Sequence, residues 1–339
     1  MLTVLWGLES DEPLATVHEA LQDLGGQVLL LDQRRVSDTV FRLDDERNLI
    51  GSIRYGDQSV ALGEITAWYV RPYDTRRVPA VERAGPKSAE WKHALELENA
   101  LLGWLEITLA RVVNRPSSML ANGCKPYQLQ IVARSGFAVP ETLVTTDPAE
   151  VTAFCEHHES VIYKSISGVR SRVTRLCASD RERLKDVTHC PTQFQAYIPG
   201  RDYRAHVIGE DVFACEVQSE ADDYRYGAAS GAPRIWAARL PREIEERAVT
   251  MTKSMGLEVA GIDLRRNPEG QWYCFEVNPS PGFTFYEQFS GQGLASAIAR
   301  LLMSSASRKE PAGETVFLGG NHDRDATLGS GLAGQGRSS

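Results

Sequence analysis

Two short apolar runs joined by a tight turn, near the carboxyl end, constrain the fold of this chain most. The runs span 259–264 and 272–277, and the turn sequence NPEG lies between them. The pattern predicts an antiparallel hairpin that brings Asp263, Glu276 and Asn278 close together, with Glu276 and Asn278 on one face. Two carboxylates and an amide oxygen are hard ligands, which suit Mg²⁺ carrying nucleotide phosphates better than zinc.

A simpler interpretation treats Asp263 and Glu276 as ordinary solvated charges, because most acidic strand residues are exposed. On these side chains alone, both interpretations stay open. The strands are otherwise largely apolar, however, and charged groups on a buried hairpin need partners or a metal ion. The sequence NPSPG at 278–282 also stiffens the backbone directly beyond the hairpin. These two features favour a metal site.

Length and composition describe an ordinary globular protein. The 339 residues suffice for two or three subdomains, with 42% hydrophobic and 24% charged residues. The net charge of −8 argues against a nucleic-acid-binding surface, and no apolar run approaches the ~20 residues needed to cross a membrane. The six cysteines show no CxxC spacing, so we expect reduced thiols and a cytoplasmic protein. The net charge and the apolar runs likewise lead us to expect neither nucleic-acid nor membrane partners.

Residues 1–115 have the pattern of an α/β domain. A strand, a helix and a second strand within the first 31 residues predict a small parallel sheet. A long helix is expected over Glu90–Val113, and its apolar stripe predicts core packing. Arg71 ends a further strand, where ligands of open α/β sheets gather. This arginine either contacts an anion or is an exposed structural residue.

From residue 116 the sequence predicts a second α/β region. Pro126 opens a helix that Gly136 closes, and a strand over Phe137–Thr145, a helix and a strand ending in Lys164 follow. A lysine at such a strand end is usually only a sheet-edge charge. The residues at 305–339 are rich in glycine, serine and charge, so we expect a disordered tail.

The order of these motifs resembles the ATP-grasp ligases, especially their RimK-like and glutathione-synthetase-like branch. The resemblance is carried by GIDLRR and FEVNPSPG in the hairpin and by two lysines ahead of it, and it covers roughly 122–302. It implies an ATP-grasp fold of the α/β (α+β) class, with a pre-ATP-grasp α/β domain at 1–115. A central subdomain at 116–190 and a C-terminal subdomain at 191–304 would follow.

The resemblance also implies roles for residues that bind phosphate. Lys125 and Lys164 correspond to the two phosphate-contacting lysines of the family, a task that suits a compact ammonium group. Ser167 and Gly168 belong to the segment that replaces the family's glycine-rich loop. This segment has a single glycine but three serines, whose hydroxyls and backbone N–H groups also bind anions.

The hinge that reads adenine corresponds to Ala196 and Ile198. Ala196 stands where the family often has a glutamate, so only backbone groups are left to pair with the base. Asp202 is placed with the nucleotide-binding residues. Arg204 and Arg225 resemble the arginines that bind the γ-phosphate and the acyl phosphate, although each taken singly also fits a surface ion pair.

Among these residues, Lys164, Arg204 and Arg225 are expected to be catalytic. His206 either assists proton transfer or simply packs inside the sheet. The metal ligands implied are those of the hairpin, with ATP and Mg²⁺ as cofactors.

The chemistry implied is carboxylate activation. A substrate carboxylate attacks the γ-phosphate of ATP, which gives an acyl phosphate and ADP, and an amine or less commonly a hydroxyl then displaces phosphate. The expected substrate is a peptide or amino acid with a carboxylate. RimK-like enzymes are commonly dimers or tetramers, so the resemblance also allows a homo-oligomer.

Three further interpretations stay open. The segments AWYVRP, NxxKxxQLQ and FQxxIP also resemble the graspetide (microviridin-type) macrocyclases, which join Asp or Glu of a ribosomal precursor peptide to Lys, Ser or Thr. Against this, the span from Lys164 to Gln193 is shorter than in those enzymes, where an insertion engages the leader of the precursor. The sparse glycine loop and Ala196 also fit a nucleotide-binding regulator without ligase activity. A small-molecule kinase on the same fold is the last alternative.

Overall fold

The computed structural model describes residues 1–45, 47, 49–166, 173–219 and 233–304. The expected tail at 305–339 therefore lies outside the described residues. In the first part the elements are β1 (Leu2–Gly7), α1 (Glu12–Asp23), β2 (Gln27–Asp32), β3 (Thr39–Asp45), β4 (Ile50–Tyr55), β5 (Gln58–Ala61), β6 (Ile65–Arg71), α2 (Pro79–Ala84), α3 (Ala89–Ile107) and β7 (Arg111–Val113).

The predicted parallel sheet is confirmed, with the strand order β2-β1-β6-β7 and every neighbouring pair parallel. Strands β3, β4 and β5 form a separate antiparallel sheet. The prediction of a helix as far as Val113 was wrong, because α3 ends at Ile107 and Thr108 is extended. Val112 and Val113 instead pair with Trp68 and Tyr69. Burial beside β6 outweighs the helical periodicity of this stretch.

The second part is built from short helices and antiparallel strands. Its elements are α4 (Pro116–Met119), α5 (Lys125–Arg134), β8 (Thr142–Thr145), α6 (Pro148–His157), β9 (Val161–Ser165), β10 (Thr174–Arg175), β11 (Thr192–Ala196), β12 (Arg201–Ile208), β13 (Asp211–Gln218), β14 (Arg234–Ala238), α7 (Arg242–Ser254), β15 (Val259–Arg266), β16 (Trp272–Asn278), α8 (Thr284–Ser290) and α9 (Leu294–Met303). A 3₁₀ segment at Ala178–His189 precedes β11.

Two antiparallel sheets organise this part, with strand orders β10-β9-β11-β8 and β14-β13-β12-β15-β16. The strand predicted over Phe137–Thr145 is shorter, and β8 begins at Thr142. Pro140 has no N–H to donate to a sheet, which explains the late start. Ala138 makes only an isolated bridge to Tyr273.

Two apolar cores hold the hairpin region in place. One lies between α7 and the inner face of β12 and β15, and it includes Ile244, Ala248, Met251, Val207 and Ile262. The other joins the first sheet, α1 and α9, and it includes Leu5, Leu14, Leu21, Ile298 and Leu302. The first and last elements of the described chain therefore share a core. The subdomain boundaries at 115 and 190 stay predictions. None of the described helices combines the length and apolarity needed to span a membrane.

Candidate active site

The open end of the β15–β16 hairpin carries the polar face predicted from the sequence. Asp263 lies directly opposite Glu276, and Gly261 lies directly opposite Asn278, with a β-bulge just after Asp263. Directly opposed residues of an antiparallel pair project to the same side, and residues two apart on one strand do so as well. The three candidate metal ligands therefore share one face.

Arg204 approaches this face from the neighbouring strand. It is opposite Asp263 in the β12–β15 pair, and its Nη1 donates to Asp263 Oδ1 at 2.7 Å. The guanidinium group is almost completely buried and lies over the backbone of Gly261. Its Cζ is 5.5 Å from the centre of the Tyr286 ring. Arg204 thus places a positive charge beside the carboxylates. A guanidinium group in this position is suited to bind the oxygens of a phosphoryl group during its transfer.

His206 lies two residues further along β12, and its ring meets that of Tyr286 edge-on, with centroids 5.2 Å apart. Its Nε2 accepts a hydrogen bond of 3.4 Å from Arg204 Nε. Burial, together with the positive charge of Arg204, holds the pKa of His206 well below its usual range. The imidazole is therefore neutral near pH 7. This environment supports the packing interpretation over a role in proton transfer.

Asp202 is engaged by a second arginine. Arg265 Nε and Nη2 donate to the two oxygens of Asp202 at 2.6 and 2.8 Å, and Arg265 Nη1 donates to the carbonyl of Ile198 at 2.7 Å. The Ala196 N–H donates to the carbonyl of Glu141. The Ile198 oxygen keeps a second lone pair, whereas the N–H of Ala196 is already used. The structure thus places Asp202 beside the candidate hinge, bound to Arg265.

Lys125 and Lys164 are both buried, at 8% and 9% exposure. Lys164 lies directly opposite Gln193 in the β9–β11 pair, so the two side chains share a face. Gln193 is fully buried, and neither of its amide atoms has a hydrogen-bond partner within the described part of the chain. A buried amide without a hydrogen-bond partner is costly, so Gln193 is a candidate to bind a polar group at this site. Sequence reasoning missed Gln193.

Three predicted residues, Ser167, Gly168 and Arg225, lie outside the described residues. Three further side chains contact the hairpin or the segment after it and were not predicted to do so. Gln128 hydrogen-bonds Val277, Asn114 bonds Val259 and Pro279, and Arg71 bonds Ser280 and Pro281. Gln128 belongs to the NxxKxxQLQ run that carries the graspetide resemblance, whereas Asn114 lies in ordinary loop sequence. Both amides are buried in the structure, which is unusual for Asn and Gln and indicates that each has a structural role.

The donor set fits a hard divalent cation. Two carboxylates and the amide of Asn278 are oxygen donors, which Mg²⁺ prefers and zinc does not. Among the described residues, no group of three or more His, Cys, Asp and Glu side chains stands together. Mg²⁺ demands octahedral coordination, which one oxygen from each of Asp263, Glu276 and Asn278 does not complete, so an ion held there would take further oxygens from phosphate or water. This is the usual situation of Mg²⁺ bound with a nucleotide.

Comparison with known proteins agrees with this chemistry. Beta-citrylglutamate synthase B of Danio rerio is 28% identical over 216 residues, which are 60% of this chain and 53% of that relative. The chain therefore spans about half the length of this curated relative. Among solved structures, macrocyclase MdnC of Microcystis aeruginosa MRC, bound with precursor peptide MdnA, has a TM-score of 0.76 at 22% identity. That match covers 90% of this chain and 100% of MdnC.

The ATP-grasp ligase PsnB, complexed with minimal precursor, Mg and ADP, has a TM-score of 0.73 at 26% identity, covering 88% of this chain and 96% of PsnB. These similarities confirm the predicted ATP-grasp fold of mixed helices and strands. Residues 124–302, more than half of the chain, also match the RimK-like ATP-grasp domain. The protein therefore belongs to the RimK-like ATP-grasp family.

Proposed function

We propose that this protein is an ATP-dependent carboxylate–amine (or hydroxyl) ligase that acts on a peptide or amino acid. The observation that carries this proposal is the shared face of Asp263, Glu276 and Asn278, with Arg204 bound to Asp263 at 2.7 Å. A solvated hairpin would not need a buried arginine beside its carboxylates. The family of the chain supports the same chemistry.

In the proposed reaction, an oxygen of the substrate carboxylate attacks the γ-phosphorus of ATP, and the bond to the β,γ-bridging oxygen breaks to release ADP. An amine nitrogen or hydroxyl oxygen then attacks the acyl carbon, phosphate leaves and the nucleophile loses a proton. The product is an amide or an ester. Mg²⁺, when bound, would be held by Asp263, Glu276 and Asn278 and would neutralise part of the charge on the phosphates.

The protein's own side chains have distinct tasks in this scheme. Asp263, Glu276 and Asn278 hold the cation, and Asp263 also orients Arg204. Arg204 stabilises the negative charge that is shared between attacking and leaving oxygens, and Lys164 contributes a second positive charge to the phosphates. The remaining members of the proposed site are Lys125, Ser167, Gly168, Ala196, Ile198, Asp202 and Arg225.

A peptide is the substrate that we favour. The similarity to PsnB extends over 88% of this chain, whereas the similarity to the citrylglutamate synthase covers 60%. The match to PsnB, a ligase solved with a minimal precursor, therefore extends over more of this chain. On this ground a graspetide-type side-chain macrocyclase is the second candidate function.

The proposal is tested by measuring release of ADP and phosphate with Mg-ATP across peptides and amino acids. Peptides that carry Asp or Glu together with Lys, Ser or Thr should support turnover, and Glu276→Ala should abolish it. Glu269→Ala is the matched control, because Glu269 is exposed in the turn of the same hairpin. Turnover that survives Glu276→Ala would contradict the proposed site.

Product masses separate the candidate functions. A macrocyclase yields a single peptide that has lost one water per link, whereas an amino-acid ligase joins two molecules. A phosphorylated product would indicate the kinase alternative. Mg-ATP binding without ADP release on any peptide or amino acid would favour a nucleotide-binding regulator.

Two further properties belong to the same proposal. All six cysteines are free, and Cys124, Cys177 and Cys190 are exposed. Exposed free thiols suit a reducing compartment, so we propose a cytoplasmic location. A homo-oligomer, which the resemblance allows, is tested by light scattering of the purified protein.

A further inference from the structure

Strand β16, which carries Glu276 and Asn278, is bound along its outer edge by a side chain. In the described sheet, β16 is the edge strand next to β15. Gln128 Nε2 donates to the Val277 carbonyl at 2.8 Å, and the Val277 N–H donates to Gln128 Oε1 at 2.9 Å. The amide thus pairs with Val277 as a neighbouring strand would. Gln128 is one turn after Lys125 on α5. The same helix therefore carries the candidate phosphate-binding lysine and the amide that hydrogen-bonds Val277, the residue before Asn278.

Asn114 binds the residue on the other side of Asn278. Its Nδ2 donates to the carbonyls of Pro279 and Val259, at 2.5 and 2.7 Å. Its Oδ1 accepts from the N–H groups of Glu258 and Val259, at 2.8 and 3.2 Å. This buried amide therefore ties the start of β15 to the residue that follows β16.

Arg71 holds the next two residues of the loop. Its Nη1 donates to Ser280 Oγ and to the Pro281 carbonyl, both at 3.0 Å. Its Nε donates to Asp11 Oδ2 at 2.5 Å, and Asp11 also caps the N-terminus of α1. The guanidinium group is mostly buried, in contrast to the exposed structural arginine considered from the sequence. The carboxyl edge of the N-terminal sheet is thereby joined to the loop beyond Asn278.

We propose that Arg71, Asn114 and Gln128, here called the loop clamp, are positioning residues that hold Asn278 for the divalent cation. This inference rests on the proposed function, in which Asn278 is a ligand of Mg²⁺. The clamp binds the residue before Asn278 and the three residues after it. None of its three side chains belongs to the candidate active site itself.

The physical basis is preorganisation of a metal ligand. The side-chain oxygen of Asn278 accepts a hydrogen bond of 2.9 Å from the N–H of Ser280, so its orientation follows the loop backbone. Mg²⁺ demands near-ideal octahedral geometry and tolerates little displacement of a ligand. Loss of outer partners that orient a ligand typically costs about 10- to 100-fold in metal affinity or activity. Loss of a clamp side chain should therefore weaken cation binding much more than nucleotide binding.

The test measures binding of Mn²⁺, detected by electron paramagnetic resonance, to the full-length protein in the presence of ADP. Arg71→Met and Gln128→Leu should raise the Kd of Mn²⁺ by about 10- to 100-fold. The Kd of ADP without metal should stay at its wild-type value, and high Mg²⁺ should restore turnover. Ser280→Ala removes only the hydroxyl partner of Arg71, and it provides a milder variant with a smaller shift in the same direction.

Arg115→Met is the matched control, because Arg115 donates to the carbonyls of Glu106 and Thr108 at the end of α3 and does not belong to the clamp. It should lower Tm but leave the Kd of Mn²⁺ unchanged. The inference is overturned if folded clamp variants bind Mn²⁺ as tightly as wild type, or if Arg115→Met weakens Mn²⁺ binding equally. Failure of the wild type itself to bind Mn²⁺ with ADP would overturn the proposed function and the clamp together.

Discussion

Replacement of Gly261 by alanine should displace Arg204 from the candidate catalytic face. A Cβ at this position would lie 2.0 Å from Arg204 Nη2 and 2.7 Å from Pro281 Cβ, whereas ordinary contacts begin near 3.4 Å. The guanidinium nitrogen must therefore retreat by about 1.4 Å, and the proline carbon by about 0.7 Å. Arg204 and Pro281 are both buried, so their displacement disturbs packed surroundings.

The expected effect follows from what that retreat breaks. Arg204 Nη1 is 2.7 Å from Asp263 Oδ1, and a shift of this size removes the hydrogen bond. A misplacement of about 1 Å in a catalytic site costs roughly a hundredfold in rate. Overpacking of a core position typically costs about 1–3 kcal/mol of unfolding free energy. Gly261→Ala should therefore lower kcat by about two orders of magnitude while the protein stays folded.

The assay combines ADP release with urea denaturation of the same preparation. Gly103→Ala is the matched control, because a Cβ there meets no heavy atom within 4 Å in the interior of α3. This control should gain about 0.5–1 kcal/mol of unfolding free energy and keep wild-type turnover. Wild-type turnover by Gly261→Ala would refute the placement of Arg204 over this glycine.

Three more predictions concern stability and reactivity. Asn114→Leu leaves several buried backbone groups without hydrogen-bond partners, so it should lower the unfolding free energy by about 2–5 kcal/mol. Urea denaturation measures this change, and an unchanged unfolding free energy would contradict the prediction. The pKa of His206 is lowered in the folded protein. As pH falls below ~6.5, His206 therefore binds a proton in the unfolded chain while it stays neutral in the native state. Unfolding free energy should therefore fall as pH decreases, by up to ~1.4 kcal/mol per pH unit from this group, and His206→Gln should reduce that slope. Iodoacetamide should label Cys124 and Cys177 but not Cys274 in the native protein, since burial and the nearby Asp263 raise the pKa of the Cys274 thiol; mass spectrometry of peptides decides the outcome.

Local pairing explains why the hairpin could be predicted. Its two apolar runs are separated only by a short turn, so strand alternation alone indicates that Asp263 and Glu276 meet. The βαβ order at the start of the chain likewise predicts a parallel sheet without knowledge of distant contacts. The helix expected as far as Val113 failed for the opposite reason. Whether Val112 and Val113 continue a helix or join a sheet depends on β6, which is remote in sequence.

The sequence by itself determined the hairpin and its oxygen donors, because these depend on the period of two and on a short turn. Only the tertiary structure decided what meets this face. Arg204 is 59 residues from Asp263, Gln128 is 149 residues from Val277 and Arg71 is 209 residues from Ser280. No local period records such contacts, since they arise when separate sheets and helices bury their apolar faces in common cores. Packing of those cores brings Arg204 to β15, and it brings Gln128 and Arg71 to β16 and to the loop after it.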